Sequence, residues 1–202
     1  MDKHFRFSAI LLAISFSMLS FTTSISASER KINMNQHWKF YHGCIANAEQ
    51  PSFNDSGWRV LDIPHDWSVE PLPVQREGIT IGPFSRMSIG GPDTGQTVGG
   101  EGWYRKELIL QPGDTDKILS LYFEGAYNQT EVWINGQKAC FNAYGYIPFR
   151  IDINKYCNAP GIPNTIAVKV INEGLNSRWY AGSGIYRHVW LIKTDKVHLD
   201  EW

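Results

Sequence analysis

Two stretches of the chain carry polar and aromatic side chains where a β-strand has no use for them. Asp66 stands between His65 and Trp67 in the proline-initiated run Ile63-Pro64-His65-Asp66-Trp67. Arg178 and Trp179 stand just before Gly182-Ser183-Gly184. Sugar rings present apolar C–H faces that stack on aromatic planes, and their hydroxyls need directional polar partners. Trp67 and Trp179, each in a turn-rich segment beside polar residues, therefore suit sugar stacking. Asp66 suits accepting a hydrogen bond from a sugar hydroxyl, and Arg178 suits aiming its five donors at the same ring. Each charged residue also has a plain alternative: Asp66 can cap nearby backbone N–H groups, and Arg178 can pair with a surface carboxylate such as Glu173. The glycines after Arg178 read as a flexible loop able to display a contact residue.

Other chemistries lack their signatures. Cys44, Cys140 and Cys157 allow one bridge at most and have no CxxC spacing, and no HExxH run accompanies them. They read as small buried hydrophobes. Gly182-Ser183-Gly184 is not the GxSxG elbow of a serine hydrolase. The acid pairs Asp62/Asp66 and Asp114/Asp116 flank turns, where carboxylates mostly cap backbone or face solvent.

The elements that must position these residues are β-strands. Of 202 residues, 43% are hydrophobic, 13% aromatic and 19% charged, with 18 Gly and 10 Pro, which excludes disorder and coiled coil and favours a turn-rich β-fold. A net charge of -1 without a basic run argues against nucleic acid. Lys3 and Arg6, the apolar run Phe7 to Phe21 and the small residues 22–28 read as a Sec signal peptide, so the expected location is secreted or periplasmic. The apolar run is too short and too broken by serines to span a bilayer.

From residue 29 onward no window keeps a 3.6-residue period, and ten short β-rich runs recur. They are Lys31 to Asn33, Trp38 to His42, Arg59 to Ile63, Trp103 to Leu110, Ile118 to Phe123, Thr130 to Ile134, Gln137 to Phe141, Phe149 to Ile153, Thr165 to Ile171 and Tyr186 to Thr194. This number of strands in one domain predicts an all-β sandwich of two packed sheets. Asn135-Gly136 supplies the positive φ angles of a two-residue type I′ hairpin turn. Trp38, Trp58, Trp103, Trp133 and Trp190 are expected to fill the space between the sheets. The glycine- and proline-rich segment from Pro71 to Gly102 reads as a long functional or mobile loop.

Several motifs occur in one order: Asp55-Ser56-Gly57-Trp58, Pro64-His65-Asp66-Trp67, Gly102-Trp103-Tyr104-Arg105, Val132-Trp133-Ile134-Asn135-Gly136 and Arg178-Trp179-Tyr180-Ala181-Gly182-Ser183-Gly184-Ile185-Tyr186-Arg187. Together they resemble the N-terminal jelly-roll sugar-binding domain of glycoside hydrolase family 2, most nearly its β-galactosidase-type branch. The resemblance covers residues 29–202 and implies a galactose-binding-domain-like jelly roll. It implies that Asp66, Trp67, Arg178 and Trp179 help shape a pocket for a terminal β-linked sugar. It also implies a catalytic (β/α)₈ barrel as partner, whose two glutamates perform retaining hydrolysis, so no catalytic residue is expected among residues 29–202. Some family members hold sodium near the substrate with an acidic residue where this chain has Arg178, so no metal and no cofactor are expected. Two readings stay open: a fragment or non-catalytic domain of a secreted family 2 enzyme, and a free-standing secreted carbohydrate-binding module.

Overall fold

The computed structural model describes residues 30–70, 80–81, 84–85, 97–173 and 181–199. The signal-peptide reading, Arg178, Trp179 and most of the segment after Pro71 lie outside these residues. Every predicted strand is present, with ends shifted by a few residues. They are β1 (Lys31–Asn33), β2 (Trp38–His42), β3 (Arg59–Leu61), β6 (Gly100–Ile109), β7 (Ile118–Phe123), β8 (Thr130–Ile134), β9 (Gln137–Asn142), β10 (Phe149–Asp152), β11 (Pro163–Asn172) and β12 (Val189–Thr194). Two further short strands, β4 (Thr80–Ile81) and β5 (Phe84–Ser85), pair with each other where the sequence suggests only loop.

The strands form a four-stranded sheet in the order β1-β12-β7-β10 and a six-stranded sheet in the order β3-β2-β6-β11-β8-β9. Neighbours in both sheets are antiparallel. Alternation decides the faces. Ile166, Val168 and Val170 of β11 are fully buried in the main core beside Leu119, Leu121 and Phe123 of β7, while Ala167 belongs to a separate small cluster. Asn135 and Gly136 take φ values of 52° and 78°, as the hairpin joining β8 to β9 requires. A bulge between Val132 and Trp133 then shifts its register.

The tryptophans are not all core residues. Trp38 lies in the main core with its Nε1 donating to the Met34 carbonyl at 2.7 Å, so its one polar atom is satisfied. Trp103 is also buried, but with Ala48 and Ala167 it forms the small cluster, flanked by half-buried Trp58 and Trp133. Trp190 is half-buried, with the Lys31 ammonium 4.4 Å from its ring. The sequence reading erred here because a strand offers two faces, and an overlying loop can bury the outer one.

That loop is residues 43–58, and Arg105 pins it. The Arg105 side chain is 4% exposed. Its Nε donates to Asp55 Oδ2 at 2.7 Å, and its Nη1 donates to the carbonyls of Ala48 and Gln50. Lys39 holds the other Asp55 oxygen at 2.5 Å. Burial alone would raise the Asp55 carboxyl, but hydrogen bonds from Lys39 and Arg105 outweigh it and keep the group below the usual carboxylate range.

The cysteines are free. Cys140 and Cys157 pack against the core, and burial pushes the Cys157 thiol up to about 11. Cys44 is exposed, contrary to the expectation of a buried hydrophobe, because it opens the loop that crosses the sheet. Asp114 caps backbone as a turn acid is expected to, accepting from the Gln111 amide, but at 4% exposure it is buried and pairs with Lys193 at 2.7 Å.

Candidate functional site

The proline turn and the glycine-rich run meet at one end of the sandwich. The Ile63, His65 and Trp67 amides donate to the carbonyls of Asn35, Ile185 and Ser183 respectively. Gly184 and Tyr127 exchange a pair of backbone hydrogen bonds, each 2.9 Å long. Ser183 is fully buried, and its hydroxyl accepts from the Asn172 amide at 2.6 Å. Residues 181–185 are therefore a pinned strap across the end of the core. The flexible display loop expected from Gly182-Ser183-Gly184 is corrected accordingly, because the backbone there finds buried partners.

Asp66 is the hub of this strap. Its Oδ1 accepts from the Ser68 amide at 2.9 Å, from the Ser68 hydroxyl and from the Ser183 amide at 2.8 Å. The first of these caps the short 3-10 turn Trp67–Val69. Capping and site formation are thus not alternatives. The donors that cap the turn also fix the carboxylate where it lines a cavity of about 170 Å³, with Tyr127, Tyr146, Ala181, Gly182 and Tyr186. Glycine is required at 182, since a Cβ there would run into Oδ2 of Asp66.

Trp67 has a different place from the one predicted. It is 2% exposed, stacks with Phe40 at 5.8 Å between centroids, and donates Nε1 to the Gly99 carbonyl at 3.1 Å. It is a core residue that anchors the turn bearing Asp66, and its ring is not a stacking surface for a ligand. Sequence reasoning placed it beside polar neighbours but could not see that Gly99 would satisfy its N–H. Arg178 and Trp179 lie outside the described residues. The tyrosines of the cavity were missed altogether. The available signal was Tyr144-Gly145-Tyr146, two amphipathic rings around a residue without a side chain.

Behind Asp66 a polar chain runs from the buried Tyr104 hydroxyl out to the exposed Arg59. The His65 Nδ1 is 2.7 Å from the hydroxyl of the fully buried Tyr104, and its Nε2 is 2.9 Å from Glu70 Oε1. Arg59 donates to the same Glu70 oxygen at 2.6 Å. Neutral His65 satisfies the chain with Nε2–H donating to Glu70 and Nδ1 accepting from Tyr104. Burial holds the imidazole below the usual histidine range, opposed by Glu70. Burial would raise Glu70, but bonds from Arg59 and His65 hold its carboxyl low.

Both shifts destabilise the fold in acid. The unfolded chain takes up the His65 proton more readily than the folded one, so stability falls as pH drops below about 6.5. Glu70 adds a second loss as pH falls below about 4.5 toward its depressed folded value. The melting temperature is expected to decline in these two stages, and His65→Gln is expected to flatten the upper one. A wild-type melting temperature unchanged between pH 7 and pH 5 would contradict the assignment.

A larger hollow of about 370 Å³ lies beside Arg105 on the outer face of the six-stranded sheet. Lys39 and Arg105 there are already paired with Asp55, so the smaller cavity is the better candidate. Among the described residues no cluster of three His, Cys, Asp or Glu could hold a metal ion.

Comparison with known proteins gives a consistent picture. The family model described as "Glycosyl hydrolases family 2, sugar binding domain" matches residues 38–195. The chain is 41% identical over 182 residues to "Beta-galactosidase BoGH2A" of Bacteroides ovatus, covering 90% of this chain and 20% of that protein. It is 37% identical over 174 residues to a "Putative beta-glucuronidase" of Formosa agariphila, covering 85% of this chain and 16% of that one. A solved glycosyl hydrolase family 2 member from Bacteroides cellulosilyticus superposes with a TM-score of 0.75 at 40% identity, covering 83% of this chain and 21% of its own. The chain thus spans about a fifth of the length of these relatives.

Proposed function

Since the chain belongs to the sugar-binding domains of glycosyl hydrolase family 2, we propose that it forms one wall of the terminal-sugar pocket of an exported β-galactosidase-type enzyme. Bond cleavage in this reading belongs to a pair of glutamates on a (β/α)₈ barrel of the same enzyme. Retaining hydrolysis needs two carboxyls about 5 to 5.5 Å apart, one as nucleophile and one as acid/base. The present domain contributes position instead. It holds a hydroxyl of the terminal sugar so that the anomeric carbon sits before the nucleophile, a contribution to orientation rather than to bond chemistry.

The observation that carries this reading is the Asp66 carboxylate, fixed by Ser68 and Ser183 at the edge of a tyrosine-lined cavity. The described lining sets that one carboxylate among Tyr127, Tyr146 and Tyr186, donors and apolar faces of the kind a sugar ring meets. Titration of the isotope-labelled chain with methyl β-galactoside and methyl β-glucuronide tests it by amide chemical shifts. The galactoside is expected to bind with a Kd in the millimolar range, equivalent to roughly 4 kcal/mol, and to shift Asp66, Ser183 and Tyr127. Shifts confined to another surface, or a preference for the glucuronide, would overturn the reading.

A further inference from the structure

The cavity does not end at its own lining. Tyr144 and Tyr146 stand on either side of Gly145, and that glycine is clamped. A Cβ at 145 would run into the Tyr127 ring, and its carbonyl accepts the Tyr186 hydroxyl at 2.8 Å. Both clamping residues line the Asp66 cavity. The tyrosines beside Gly145 are therefore held in fixed relation to that cavity. Tyr146 lines it, with its ring 5.1 Å from Tyr127 and tilted by 58°. Tyr144 lies beyond, touching Tyr146 with ring centroids 5.6 Å apart at 66°. Both remain about half open to solvent, at 56% for Tyr144 and 51% for Tyr146.

We propose that Tyr144, together with Tyr146, forms a second saccharide subsite continuous with the Asp66 cavity, which takes the neutral sugar ring β-linked to the terminal one. The inference rests on the proposed function, since it assumes that the terminal sugar occupies the cavity. An apolar C–H face of the second ring stacks on the tyrosine, while the phenolic hydroxyl stays wet or meets a sugar hydroxyl. Coverage by another protein surface fits less well, because it would desolvate these hydroxyls and demand a partner for each. The subsite makes the domain a selector of oligosaccharides over simple glycosides.

The experiment compares methyl β-galactoside with lactose, which adds one glucose ring, by chemical-shift titration of the whole chain. Lactose is expected to bind about fivefold more tightly. Tyr144→Ala is expected to abolish that advantage while leaving the methyl β-galactoside Kd unchanged, because Tyr144 does not line the cavity. Tyr144→Phe, which keeps the ring, is expected to retain it. Equal affinities in the wild type, or an advantage that survives Tyr144→Ala, would overturn the subsite. The second outcome is the one expected of a protein-docking face. Failure of Asp66→Asn to weaken methyl β-galactoside is a separate result, which removes the terminal-sugar assignment and the subsite with it.

Discussion

Arg105→Ala is expected to lower the melting temperature by about 10 °C. The side chain is 4% exposed and serves Asp55 and two carbonyls of the loop over residues 43–58. Removing one partner of such a largely buried pair costs about 3 to 5 kcal/mol, because Asp55 keeps only Lys39 and the two loop carbonyls lose their donor. For a domain of this size each kcal/mol shifts the midpoint by roughly 2 to 4 °C. A lysine at this position would keep the charge but not the planar fork, so Arg105→Lys is expected to recover only part of the loss. Hydrogen exchange in residues 44–58 should rise in both variants. A midpoint within about 2 °C of wild type would mean that the Lys39–Asp55 pair alone holds the loop.

The second large effect separates the two roles of Asp66. Asp66→Ala removes an acceptor used by Ser68 and Ser183, hydrogen bonds to a charged group worth about 1.5 to 3 kcal/mol in net terms. The variant is expected to melt several degrees lower and to lose sugar binding by roughly tenfold or more. Asp66→Asn keeps an oxygen for those donors but gives up the charge and one acceptor. It is expected to melt near wild type and still to lose most of the binding. Wild-type affinity in the Asn variant, with a lowered midpoint only in the Ala variant, would leave Asp66 as a cap alone.

Cavity and core also differ in how they could be anticipated. Leu119, Leu121 and Phe123 announce a half-buried strand because alternation is a local property. Asn135-Gly136 announces its turn because two adjacent residues supply the needed φ angles. Trp67 was misplaced for the converse reason. Its burial depends on the Gly99 carbonyl and the Phe40 ring, separated from it by 32 and 27 residues respectively.

By itself the sequence determined the ten strands of the two sheets, the hairpin and the family. Each of these is written in local pattern or in an ordered series of short motifs. Only the tertiary structure decided that Ser183 and Asp66, 117 residues apart, share a hydrogen bond, that Trp103 and Arg105 face a loop while Tyr104 faces the core, and that Tyr127, Tyr146 and Tyr186 line one cavity. The physical reason is that a strand's alternation says which residues share a face but not what covers it. In a sandwich whose end is closed by connecting loops, the site is made by which loops the pairing order brings together.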